Sequence, residues 1–188
     1  LTMENKEVKQ GFDRNELLKE KNISLILEDY NDLFSDFDPR PYSIRALSDD
    51  FLVECKRAVR DKKESEKGFE LRLLVLKAKR NINDETKIKK RLKTYFQKHN
   101  LEKHNEVRGI RKEGIIWFVV GVLLIFVSTL VYDAENLFLR FLFIVSEPAG
   151  WFTIWNSFDK LVLMPREKKG ELDFYKKMTR LQIEFYSY

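Results

Sequence analysis

The residues with the clearest chemical potential form an acidic loop over 28–38. The loop reads EDYNDLFSDFD and follows a short apolar run. Carboxylates placed just after a strand can bind a divalent cation, and four are candidate ligands: Asp29, Asp32, Asp36 and Asp38. Their spacing lacks the glycine and the terminal glutamate of a calcium-binding loop. The alternative is a turn-rich loop with solvated acids, so the sequence leaves the metal unknown.

Basic residues form a second candidate group. Arg40 closes the acidic loop, and Lys77, Lys79 and Arg80 follow the next apolar run. If both apolar runs are neighbouring parallel strands, the acidic and basic groups share the sheet edge at which α/β proteins usually bind ligands. This placement predicts either an anion or nucleotide pocket or simple charge pairing.

Three more candidates lie within an apolar region near the C-terminal end. Arg140, Glu147 and Pro148 interrupt the region that runs from 137 to 164. An ionised carboxylate at mid-depth in a bilayer costs several kcal/mol unless it faces water, a partner or a proton. Proline predicts a kink or break, after which Glu147 would instead lie in the first turn of a new half-helix, capped by Ser146. Arg140 lies close enough to the end of the region to extend its charge into the interface.

The elements around these residues predict a transmembrane hairpin over 115–164. Residues 115–132 read IIWFVVGVLLIFVSTLVY without a charge, and as a helix they span roughly 27 Å, close to the thickness of the hydrocarbon layer. A second span is predicted over 137–158, kinked near Pro148, and the four-residue connection requires an antiparallel arrangement. Lys and Arg flank the hairpin but are missing from its turn, which places both termini in the cytoplasm and favours the plasma (inner) membrane.

The remaining chain predicts a small cytoplasmic domain. Strands are expected at 23–27 and 69–76, with a helix between them that begins near Ser48, which is a β-α-β pattern. A long basic helix from Asn83 completes the domain over 1–114, with loosening points at Gly109 and Gly114. The tail, 165–188, predicts a helix and a strand that return to this domain. The polar segment 1–18 is expected to form either a loose arm or a short helix around 15–21. The fold class is thus a small α/β (or α+β) cytoplasmic domain with a β-α-β core plus a two-helix transmembrane hairpin.

Catalytic signatures are missing from the sequence. It contains no glycine-rich phosphate loop, no GxSxG and no HExxH, and its two histidines, His99 and His104, are five residues apart on a basic helix. We therefore predict no cofactor and favour a protein that is not an enzyme. The net charge of +5 comes largely from segments beside the apolar spans, so anionic lipid headgroups are more plausible partners for the basic helix than nucleic acid.

Three hypotheses follow. The leading one is an oligomeric two-span membrane protein, in contact with the lipid bilayer, whose cytoplasmic domain senses or assembles and whose hairpin forms a channel or perturbs the membrane. Homo-oligomerisation is expected because a two-helix hairpin cannot shield both Arg140 and Glu147 by itself. The alternatives are a membrane-tethered scaffold without transport and a membrane-anchored metal- or nucleotide-dependent enzyme that uses the loop 28–38.

Overall fold

The chain is mostly helical and contains one small sheet. A computed structural model describes residues 23–60, 70–133 and 135–188. The strands are β1 (Ile23–Leu27), β2 (Glu70–Val75) and β3 (Gln182–Ser187), and the helices are α1 (Asp49–Arg60), α2 (Ile82–Leu130), α3 (Leu137–Phe158) and α4 (Met164–Thr179). Short 3-10 turns cover Tyr30–Leu33 and Lys77–Lys79. The segment predicted to form a loose arm or a short helix around 15–21 lies outside the described residues.

The chain divides into two compact units. The first contains the described residues up to His99 together with Phe174–Tyr188, and the second contains Asn100–Asp173. Two helices pass from one unit to the other along the chain. α2 begins in the first unit and ends in the second, and α4 begins in the second unit and ends in the first.

The first unit is built on a parallel sheet of three strands in the order β1-β2-β3. Ile23 pairs with Leu71 at the start of β1, and Leu71 pairs with Ile183 of β3 on its other side. The central strand β2 is buried at five of its six positions, as expected for a parallel strand covered on both faces. β3 forms in the tail segment whose alternating pattern predicts a strand.

Helices supply the rest of this core. In α1, Phe51, Cys55 and Val59 recur every four residues and are all buried, which is the spacing of one helical face. Asp49 and Asp50 open this helix and Arg57 and Arg60 close it, which complements the helix dipole. On α2, Ile88, Leu92 and Phe96 are fully buried in the same core.

The second unit is an antiparallel helical hairpin. Contacts between its arms join Gly114 to Leu161 near one end and Tyr132 to Phe143 near the other. Residue numbers therefore increase along one arm in the direction in which they decrease along the other, so the arms are antiparallel. Two helical segments, Ile82–Leu130 and Leu137–Thr179, are long and apolar enough to cross a membrane. Within the apolar window of each, only 17% is buried.

Three local predictions for this hairpin, a helix break at Pro148, a cap at Ser146 and interruptions at Gly109 and Gly114, are wrong, whereas the kink near Pro148 stays a prediction. α3 continues through Pro148 without a break, and Ser146 does not cap a new helix, because its hydroxyl donates to the carbonyl of Leu142 four residues earlier (2.6 Å). The irregular turn lies further along, as a π-helix over Asp159–Leu163. The loosening expected at Gly109 and Gly114 is also missing, since α2 is continuous from Ile82 to Leu130.

Candidate functional site

Small side chains form the inner face of the hairpin. Gly114, Gly121 and Ser128 are buried at seven-residue intervals on α2. The facing arm repeats this interval twice, from Ser146 to Thr153 and from Gly150 to Ser157, and all four of these residues are buried. A seven-residue repeat keeps one helix face toward its partner, and small residues on that face allow two membrane helices to approach closely. We call these seven residues the small-residue face.

The two arms touch through their backbones at the centre of this face. A Cβ atom built on Gly121 would lie 2.7 Å from Cγ1 of Ile154 and 3.1 Å from the carbonyl oxygen of Gly150. A Cβ atom built on Gly150 would lie 2.6 Å from Cγ1 of Ile125 and 3.2 Å from the carbonyl oxygen of Gly121. The approach is therefore reciprocal and has no room for even a methyl group on either glycine.

The three hydroxyls that α3 contributes to the small-residue face, on Ser146, Thr153 and Ser157, are satisfied within that helix. Thr153 donates to the carbonyl of Ala149 (2.5 Å), and Ser157 donates to the carbonyl of Ile154 (2.6 Å). Such back-bonding hides a polar group without a partner on another helix. Serine and threonine can therefore act here as small packing residues in an apolar environment.

The three charged or helix-breaking candidates lie on the outer surface of α3. Arg140, Glu147 and Pro148 are all exposed, and neither Arg140 nor Glu147 forms an ion pair or side-chain hydrogen bond with any residue that the structure describes. Trp151 and Trp155 lie on the same side of the helix, 61% and 69% exposed. The structure thus places the carboxylate on the surface rather than inside the two-helix pair.

Beyond the apolar segments, ion pairs join the two arms at successive levels. Lys160, in the π-helical turn, contacts Glu113 at 2.7 Å. Further from the apolar segments, Lys168 pairs with Glu106, and Lys103 contacts Glu171 at 3.1 Å. These exposed pairs align the arms, although each contributes little energy.

In the first unit, the acidic loop uses its carboxylates to shape turns. Asp29 caps the 3-10 turn at Tyr30–Leu33 by accepting from the amide of Asn31 (3.0 Å). Asp32 accepts from the amides of Glu28 (2.7 Å) and Asp29 (3.0 Å). Both residues therefore satisfy backbone donors at the start of a short helical turn.

The other two loop acids differ from each other. Asp38 accepts two hydrogen bonds from the Arg40 guanidinium, each 2.8 Å, one from the Arg40 amide at 3.1 Å and one from the amide of Ala46 at 2.6 Å. These contacts, led by the Arg40 guanidinium, hold the pKa of the Asp38 carboxyl well below its usual range. Asp36 is exposed. Among the described residues there is no group of three or more His, Cys, Asp and Glu side chains that could hold a metal ion.

The predicted meeting of acidic and basic loops occurs as local pairing. Because β1 and β2 are parallel neighbours, Lys79 reaches the acidic loop and donates to the carbonyl of Glu28 (2.9 Å), with Asp29 at 3.8 Å. Lys77 is exposed. Arg80 turns to Glu85 at the start of α2 and makes two hydrogen bonds, 2.8 and 2.9 Å.

Glu85 is the centre of a buried polar network. It is 5% exposed and also accepts from the hydroxyl of Tyr30 (2.9 Å), which in turn accepts from the amide of Asn81 (2.9 Å). Burial raises the pKa of Tyr30 to about 12, and the contact with Glu85 acts in the same direction. With every member paired, this network joins the loop after β1 to the start of α2.

The two histidines lie in different environments. His99 stacks on Tyr95 with ring centroids 4.0 Å apart, while His104 is exposed. Sequence reasoning missed the small-residue face, although the seven-residue spacing of Gly114, Gly121 and Ser128 was a signal for it.

Comparison of the chain with known protein families, with curated proteins and with solved structures found no match in any of the three.

Proposed function

We propose that this chain is a two-span integral membrane protein that assembles from several copies and perturbs or conducts across the bilayer. One observation carries the first part of the proposal. The hairpin packs through its small residues and directs large apolar side chains outward, leaving only 17% of each apolar window buried. Water would make such a surface very unfavourable, whereas lipid tails solvate it and leave close packing to hold the helices together.

Aromatic and charged side chains support an orientation across the membrane. Trp117 on α2 and Trp155 on α3 belong to the half of the hairpin nearer its basic end, and both are exposed. Tryptophan is enriched where hydrocarbon meets headgroups. The turn at the other end contains Asp133 and Glu135 but no Lys or Arg. We therefore propose that the turn lies outside and both termini lie in the cytoplasm, with the plasma membrane as the host.

Glu147 supports the proposal of assembly. Its carboxylate lies on the outer side of α3, eleven residues along the chain from the end of that helix at Phe158. Facing lipid there, a carboxylate is costly. A second copy of the hairpin would cover it, and several copies around an axis would place a ring of Glu147 side chains beside a common interior. Arg140, nearer the outer turn, extends toward the headgroups.

The test combines assembly with ion flux. The protein is placed in nanodiscs for native mass spectrometry and in liposomes for a flux assay, as the parent, as Glu147→Gln and as the control Glu135→Gln. We expect a single oligomer in all three, with flux reduced in Glu147→Gln alone. A monomeric parent would remove the proposed interior and refute assembly.

An oligomer without flux in any variant would instead favour the scaffold alternative. In that case, replacing 115–164 with an unrelated two-span anchor should preserve function. The enzyme alternative has no comparable support, because three of its four proposed acidic ligands cap turns or pair with Arg40.

A further inference from the structure

A cavity of about 440 Å³ lies in the second unit, beyond the end of the apolar segments. Its apolar lining comes from both arms of the hairpin, with Val107 on α2 and Leu161, Val162, Pro165 and Leu172 on the returning arm. Leu161 and Val162 belong to the π-helical turn. Such turns widen a helix locally and are frequent at functional sites.

The remaining lining is strongly basic. Arg111, Arg166 and Lys169 line the cavity with a single acid, Asp173. None of these three cations forms an ion pair or side-chain hydrogen bond with another residue in the described part of the chain. This distinguishes them from their neighbours Lys103, Lys160 and Lys168, each of which pairs with a glutamate across the hairpin.

The position of the cavity indicates what it binds. Arg111 is four residues before the uncharged span that begins at Ile115, about one helical turn outside it. An unpaired guanidinium there can make two parallel hydrogen bonds to a phosphate, while the apolar lining can accept the first carbons of an acyl chain. We infer that the cavity binds the headgroup of an anionic phospholipid from the adjoining leaflet.

This inference rests on the membrane insertion proposed above and goes beyond it. A diffuse basic surface would attract anionic lipid through total charge alone, with each cation near the surface contributing about 1 kcal/mol, or about a fivefold change in binding. If the cavity is a specific binding site, lipid binding instead depends on which cations are removed and not only on how many. The two cases can be separated by variants of equal charge.

The experiment measures lipid binding by native mass spectrometry of the detergent-solubilised protein. Phosphatidylglycerol and phosphatidylcholine are titrated into the parent, into the pocket variant Arg111→Gln/Arg166→Gln and into the control Arg108→Gln/Lys112→Gln, whose two positions are exposed on α2 outside the cavity. Carbonate extraction of cell membranes establishes that each variant inserts.

We expect the parent to prefer phosphatidylglycerol, the pocket variant to lose about tenfold to 30-fold of that preference, and the control to keep it. Equal losses in both variants would overturn the site in favour of diffuse attraction. Competition by inorganic phosphate alone at the same concentration as the lipid would overturn the lipid assignment. A parent released by carbonate would refute membrane insertion itself, whereas an inserted parent without lipid preference would refute only the pocket.

Discussion

Adding one methyl group to the centre of the small-residue face should separate the two arms of the hairpin. In Gly121→Ala the new Cβ meets a carbonyl oxygen at 3.1 Å as well as a side-chain carbon at 2.7 Å. The side chain of Ile154 can rotate, but the backbone of Gly150 can move only if the helices separate. Overpacking of this kind costs about 1–3 kcal/mol.

Helix propensity acts in the opposite direction and supplies a matched control. Alanine is favoured over glycine in a helix by about 1 kcal/mol, so the net loss for Gly121→Ala is about 1 kcal/mol. Gly109 lies on the same helix, and a Cβ atom added there would have nothing within 4 Å. Gly109→Ala should therefore gain about 1 kcal/mol, and the two substitutions should have opposite signs.

Tryptophan fluorescence is a selective assay for this prediction. The chain has three tryptophans, at 117, 151 and 155, and all belong to the hairpin. Thermal unfolding of this 188-residue protein in nanodiscs should show a midpoint lowered by about 2–4 °C for Gly121→Ala and raised by a similar amount for Gly109→Ala. A higher midpoint for both would refute the close approach of the arms. Gly150→Ala tests the reciprocal contact and should behave like Gly121→Ala.

Three predictions concern the sheet unit. Glu85→Gln should destabilise the sheet unit by about 3 kcal/mol, because Arg80 and Tyr30 lose a buried charged partner. Chemical denaturation followed by far-ultraviolet circular dichroism measures this loss of stability. An unchanged denaturation midpoint would contradict the network. Burial raises the pKa of Tyr30 from 10.0 to about 12, so the contribution of its protonated form to the free energy of unfolding is complete below pH 10 and is lost as the pH rises through 12. Between pH 10 and 12 the parent should therefore lose more stability than Tyr30→Phe. If the two plots of stability against pH run parallel, this tyrosine is excluded as the cause. Cys55 is fully buried, and burial raises the pKa of its thiol to about 12, so a thiol reagent should label it only as fast as the unit unfolds. A cysteine introduced by Val53→Cys, at a 49% exposed position of the same helix, should react at once. Equal labelling rates for the two cysteines would refute the burial of Cys55.

The sheet shows which local patterns were enough for prediction. β1 was identifiable from a short run of four apolar residues interrupted only by Ser24, and α1 from the four-residue recurrence of Phe51, Cys55 and Val59. These patterns are local consequences of burial on one face. All three strands expected from the sequence form, but helices dominate the described part of the chain, where α2 alone extends over 49 residues. Uninterrupted length depends on packing along the whole helix, which no short window contains.

Pro148 shows the opposite case, in which a strong local rule was overridden. Proline removes one hydrogen bond and crowds the preceding turn, yet α3 remains helical around it. Ser146 bonds back to the preceding turn there, and the small-residue face packs on the opposite arm. Tertiary packing also determined where the helix widens, since Gly114 leaves the space that Leu161 of the π-helical turn fills.

The sequence alone determined that two apolar segments of membrane-spanning length are joined by a short acidic turn and flanked by Lys and Arg. It also determined that acidic and basic residues follow neighbouring apolar runs. Only the tertiary structure decided that Asp29, Asp32 and Asp38 shape turns, that Gly121 and Gly150 bring two backbones into contact, and that Arg111, Arg166 and Lys169 converge on one cavity. The physical reason is that hydropathy and charge order are properties of consecutive residues, whereas hydrogen-bond partners and close approach depend on residues brought together from distant parts of the chain.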